Sequence, residues 1–187
     1  IEIIIEEDKL YEGAPVMRNR GLTKAKGEYV IFWDADVVAV PRMLEVMKES
    51  LDNNPLASFT YCDYNLQLSI FNLQKIFKSQ IFNIQKLKKN NYIHSTSLIR
   101  WKDAVKWDEN LKRFQDWDLW LTMSEQGKTG IYIPEALFTI ISKGAISSWL
   151  PSFTYKKPWK YLPGIKEKVK KYEEAKKIIR LKHSLND

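Results

Sequence analysis

The apolar positions of the chain follow two rhythms, one of strands and one of helices. Ile1 to Ile5 is almost wholly β-branched and reads as a strand that Glu6-Glu7-Asp8 ends. Gly13-Ala-Pro15 opens a helix, because proline suits a first helical turn. That helix runs through Val16, Met17, Leu22 and Ala25 and stops at Gly27. Tyr29 to Trp33 reads as a buried strand. From Pro41 a second helix places Met43, Leu44, Met47 and Leu51 on one face and ends near Asn54-Pro55. Ala57 to Leu66 is strand-like. Residues 70–89 mix apolar positions with lysines, as a helix or a long amphipathic loop would. Tyr92 to Ile99 is a short extended piece. Asp116 or Asp118 caps a helix that carries Trp117, Trp120, Leu121 and Met123 and ends at Gly127. Ile131 to Ile141 gives one or two strands. Ile165 to His183 is a last helix with Ile165, Val169, Tyr172 and Ile179 on one stripe.

Strand and helix in alternation predict an α/β fold, a mostly parallel sheet flanked by helices. The chain opens inside a strand, so it is expected to be N-terminally incomplete. We divide it into a core at 1–148 and a basic aromatic segment with a helix at 149–187. The 187 residues, 44% hydrophobic and 13% aromatic, are enough for one globular core. The net charge of +7 is uneven: 19 basic and 19 acidic residues up to 150, then 11 and 4. A neutral body with a basic tail points to local contact with phosphate or an anionic surface, not to a nucleic-acid-binding fold. One cysteine, Cys62, excludes an internal disulfide, and with two histidines it leaves few ligands for zinc.

The chemistry centres on Asp34-Ala-Asp36, directly after the Tyr29–Trp33 strand. A carboxylate inside a buried strand is costly, so both aspartates belong where the strand leaves the sheet, the place where open α/β sheets bind ligands. Two carboxylates around one small residue can hold a hard divalent cation beside phosphate oxygens.

Three stretches together resemble glycosyltransferase family 2, whose fold is called GT-A. They are Arg18-Asn-Arg-Gly-Leu with Ala25 to Asp36, Asn91 to Arg100, and Phe114-Gln-Asp-Trp-Asp-Leu-Trp-Leu121. The resemblance implies an inverting transfer of sugar from a nucleotide-sugar donor to an acceptor hydroxyl. It implies Asp116 as catalytic base, Arg18, Asn19 and Asp34 around the nucleotide, and Asp36 on a divalent metal, Mg²⁺ or Mn²⁺. The chain departs from the family where Gln115 replaces an acid and where Lys143-Gly-Ala replaces a histidine region. Only about ten residues separate Asp8 from Arg18, too few for a helical crossover. Ile1 to Ile5 therefore fits the family's third strand better than its second, and the isolated chain is expected to lack base recognition and to be inactive. Glu7 and Asp8 would otherwise be the acidic turn of the donor site.

Competing readings accompany each assignment. Arg18 and Arg20 could form a solvated helix face, Asp116 could only cap its helix, and His94 reads as an ordinary polar residue. A nucleotidyltransferase on a related fold, or a binding protein on a degenerate transferase scaffold, are the alternatives to the enzyme. The acceptor is expected to be a glycan or lipid-linked. The tail either reaches an anionic membrane, making a cytoplasmic enzyme peripheral at the inner face, or packs on the sheet.

Overall fold

The computed structural model describes residues 1–68, 73–142, 162 and 164–185. Its helices are α1 (Ala14–Lys24), α2 (Met43–Asp52), α3 (Ile84–Lys89), α4 (Gln115–Glu125) and α5 (Ile165–Lys182). Its strands are β1 (Tyr29–Ile31), β2 (Val37–Ala39), β3 (Phe59–Leu68), β4 (Leu73–Phe77), β5 (Leu98–Arg100) and β6 (Gly130–Ser142). They form one sheet in the order β1-β5-β3-β6-β2, with β4 beside β3.

The sheet is mixed, which corrects the expected mostly parallel one. Among the described residues only β3 and β6 pair in parallel. The pairs β1–β5, β2–β6, β3–β4 and β3–β5 are antiparallel. Connection length accounts for the β3–β4 and β3–β6 pairs. A parallel return needs a crossover of roughly a dozen residues or more. The link 32–36, from β1 to β2, is shorter, as is the stretch of four residues between β3 and β4, and β4 runs antiparallel to β3. Only the long path from β3 through α3 and α4 to β6 returns in parallel. The ladder between β3 and β6 slips at Asp63, opposite Pro134-Glu135, as expected where proline has no N–H to give.

Side-chain alternation along the strands splits the interior into two clusters. Phe32, Phe59, Tyr61 and Ile99 join Trp117, Trp120, Leu121 and Ile179 in one. Cys62, Leu98 and Phe138 join Met43, Met47 and Leu51 of α2 in the other. Residues one apart on β3 and on β5 face opposite ways, so the clusters lie on opposite faces of the sheet. Gly130 opens β6 against the Phe59 ring, where a Cβ would come within 2.2 Å of a ring carbon.

The expected strand at Ile1 to Ile5 does not form. A strand needs a hydrogen-bonding neighbour, and the described residues offer this segment none. It lies along α1 instead: the Lys26 N–H donates to the Glu2 carboxylate at 3.1 Å, and Lys24 pairs with Glu6 at 2.5 Å. Ile1, Ile3 and Ile5 are exposed. The strand expected at Tyr29–Trp33 ends at Ile31 and is half-buried, because β1 ends the strand order and pairs only with β5. Residues 70–89 hold β4 and then α3, which Asn83 caps by accepting from the Lys86 N–H. The stripe read on the last helix is the one that packs: Val169 and Ile179 of α5 are buried.

Candidate active site

The link between β1 and β2 carries Asp34 and Asp36 off the end of β1. Across from it lies the start of α4. Neither Asp116 nor Asp118 is its N-cap, contrary to expectation. The cap is Phe114, held in the left-handed region at φ 57° with no side-chain capping bond. Rings of Trp117 and Tyr172 hold Phe114 in place at 5.8 and 5.0 Å. A bulky residue in that conformation costs about 1–3 kcal/mol, the kind of local strain that gathers at functional sites.

Arg18, on α1, joins the two sides. Its guanidinium donates to Asp34 at 2.7 Å and to the Gln115 side-chain oxygen Oε1 at 3.4 Å, and it stacks 4.4 Å above the Trp107 ring. Arg18 is therefore not on a solvated face; only 15% of its side chain is accessible, against 37% for Asp34. Ser95 Oγ donates to the other Asp34 oxygen at 3.4 Å.

Asn19, next to Arg18, holds the loop that carries Trp107. Its amide donates to the Trp107 carbonyl at 2.9 Å and to Glu109 at 2.8 Å, and its oxygen accepts from the Trp107 N–H at 2.8 Å. All its polar atoms are engaged, and its contact with the site runs through Trp107. Asp36 is exposed, and no side-chain partner contacts it among the described residues.

Asp116 accepts from the Trp117 N–H at 2.9 Å and from the Asn91 amide at 2.8 Å. Burial pushes its carboxyl up to about 6, opposed by backbone donation and by the charge of Arg18, and reinforced by the charge of Asp34. A carboxylate that binds its proton near neutrality is matched to taking one from a hydroxyl. Asp118, two residues on, is 2% exposed and faces α5, where Lys182 and His183 meet it at 2.7 and 2.8 Å. Geometry thus separates two acids that the sequence left interchangeable as helix caps.

His94 is packed between Tyr64 and Phe138, with ring centroids at 5.0 and 5.2 Å. Burial lowers it to about 4, so it is neutral, and its Nδ1 accepts from the Thr96 N–H at 3.0 Å. Trp117 and Trp120 are core, each donating its indole N–H to a backbone carbonyl, of Leu87 and Ile93. The structure adds Asn91, Ser95 and Trp107 to the site. Asn91 and Ser95 stood inside a motif already singled out, but nothing in the order of residues said which acids they touch.

Among the described residues no three His, Cys, Asp or Glu side chains gather to hold a metal. The available donor is the Asp36 carboxylate, because Asp34 is engaged by Arg18. One carboxylate supplemented by substrate phosphates and water is a common Mg²⁺ arrangement, so the donor set fits such an ion. Residues 143–161 lie outside the described residues, and with them the Lys143-Gly-Ala segment and the aromatic part of the tail. No described helix is long and apolar enough to cross a membrane.

Comparison with known proteins bears on the family and the fold. The chain is 30% identical over 131 residues to an uncharacterized glycosyltransferase, MJ1057, of Methanocaldococcus jannaschii, covering 64% of this chain and 43% of that protein. It is 35% identical over 60 residues to a cholesterol galactosyltransferase of Borreliella burgdorferi, covering 31% and 17%. The chain therefore spans less than half the length of either relative. Its fold is that of S. aureus TarS 1–349 in complex with UDP-GlcNAc, with TM-score 0.62 at 15% identity over 91% of this chain and 46% of that one. TarS 1–349 without a named ligand gives TM-score 0.58 at 16% identity over 71% and 42%. The GT-A expectation for the fold holds. The family model for glycosyl transferase family 2 matches residues 3–106, more than half of the 187 residues. This chain belongs to glycosyltransferase family 2.

Proposed function

We propose that this chain carries the metal and base side of an inverting, metal-dependent glycosyltransferase. The observation that carries the reading is the convergence of Arg18, Asp34 and Asp116 at the end of β1, with burial holding the Asp116 carboxyl near neutrality. A sugar hydroxyl is a poor nucleophile until a base takes its proton in the transition state. Asp116 takes that proton as the hydroxyl attacks the anomeric carbon from the face opposite the leaving diphosphate. A divalent ion on Asp36 would neutralise the charge that grows on the leaving group. Arg18 orients Asp34 toward the nucleotide side, and Asn19 supports Arg18 through Trp107.

Complexes of TarS with UDP and with UDP-GlcNAc support a nucleotide-sugar donor. The acceptor is a glycan or lipid-linked hydroxyl. Exposed lysines on α5, which include Lys166, Lys168 and Lys170, support an anionic surface as a further contact, at the cytoplasmic face of a membrane.

The test is Asp116→Asn in the intact protein. Turnover should fall about 10²–10⁴-fold, the usual worth of a general base, with donor affinity unchanged. Asp118→Asn should reduce stability instead. An Asp116→Asn protein of unchanged specific activity would overturn the assignment.

A further inference from the structure

Asn91 has no place in the transfer chemistry above, yet it is the side chain that grips the base. It stands near the start of the link from α3 to β5 and is bound to its own loop twice. Its oxygen accepts from the Ile93 N–H at 3.1 Å, and its amide donates to the Ile93 carbonyl at 3.1 Å. Those bonds fix the amide plane, and the same amide then donates to Asp116 Oδ2 at 2.8 Å. Asp116 Oδ1 is held by the Trp117 N–H. One donor on each oxygen fixes the plane of the carboxylate. Four residues later the same loop places Ser95 on Asp34. The loop is anchored from outside as well: Lys176 of α5 donates to Asn90 at 3.3 Å, and Trp120 of α4 donates to the Ile93 carbonyl at 3.0 Å.

We propose that Asn91 is a positioning residue for the transfer reaction, holding the Asp116 carboxylate in one orientation and in its ionised form. This rests on Asp116 acting as the base. A neutral N–H donor suits the task, because it favours the ionised carboxylate without competing for its proton. A lysine there would hold the charge so strongly that the base would weaken. The ionisable groups around Asp116 are Arg18 on α1, Asp34 on the β1–β2 link and Tyr64 on β3. None of them donates a hydrogen bond to it, so Asn91 is the one side-chain donor to the base among the described residues.

The experiment uses Asn91→Asp in the intact protein, with kcat and donor KM measured across pH. Asp keeps the acceptor for the Ile93 N–H, so the loop should keep its turn. It removes the donor and sets a second carboxyl beside Asp116. The acid limb of the kcat profile should move up by about one pH unit or more, as in other carboxyl pairs, with donor KM unchanged. Asn91→Ser, without the added charge, covers a failure of Asn91→Asp to fold and should lower kcat about tenfold at constant KM. In an Asp116→Asn background, Asn91→Asp should have no further effect on residual turnover. An unmoved profile, a loss confined to KM, or an additive double variant would overturn the positioning role alone. An Asp116→Asn protein that turns over normally would overturn the base itself and Asn91 with it.

Discussion

Asn19, which is buried, and Asp116, which is half-buried, show opposite uses of a polar group. Asn19 is 6% exposed and satisfies both backbone groups of Trp107, so Asn19→Ala would strand a buried N–H and a buried carbonyl. We expect a cost of about 2–4 kcal/mol, read by thermal or denaturant unfolding, together with weaker seating of Arg18 on the Trp107 ring. Asp116 is destabilised by burial. Its carboxyl titrates at about 6 in the folded chain against 3.8 for an ordinary one, so the folded state binds the proton more tightly. Stability must therefore fall as pH rises from about 4 to 6, and the full cost is present above that window. Asp116→Asn should melt no lower than the parent at pH 7, with any advantage shrinking toward pH 4. Activity runs the other way: because the base must be ionised, kcat should drop about tenfold for each pH unit below about 6.

The helix α5 shows what an amphipathic stripe can and cannot announce. Its basic face and apolar stripe fitted both membrane contact and packing. For the helix itself the structure shows packing: Ile179 is fully buried in the cluster with Trp117 and Trp120, and Lys182 pairs with Asp108 at 2.6 Å. At its end His183 sits between Asp118 and Glu125, 2.8 Å from each. Burial alone would lower the His183 pKa, but hydrogen bonds to the two acids outweigh it and raise it above the usual 6.5. The stabilisation from that pair is thus fully present below pH 6.5 and is lost as pH climbs through the raised value. His183→Ala leaves Asp118 with Lys182 alone and should cost about 1–3 kcal/mol at pH 6, and less at pH 9, in paired unfolding experiments.

For the molecule as a whole, the two acids of the β1–β2 link divide their duties: Asp34 is tied to Arg18, while Asp36 is left exposed. Metal dependence should follow Asp36. In the intact protein a chelator should abolish turnover, and Asp36→Asn should remove the metal-dependent part of donor affinity. Calorimetry that finds the same affinity with and without chelator would reject the assignment. Periodicity alone located four of the five described helices, α1, α2, α4 and α5, together with the β1 and β3 strands and the buried Trp117 and Trp120, because repeats of 3.6 and of 2 are local properties of the chain; α3 lay in a stretch that read equally as helix or loop. Placement after a strand was enough to mark Asp34 and Asp36 as candidates, while Arg18, Asn19 and Asp116 were implied by the resemblance to glycosyltransferase family 2. Strand direction was not legible, since it depends on how far a connection can reach, and the short link after β3 helps turn a sheet that reads as parallel into a mixed one. Nor, apart from the family resemblance, was there anything local to distinguish Asp116 from Asp118. Two acids on one helical turn differ only in which element packs against each: Asn91 with the Arg18 side for one, α5 for the other. Contacts across 25 or 65 residues of chain, such as Asn91 with Asp116 or His183 with Asp118, exist only in the folded chain, and they give the two carboxylates different surroundings.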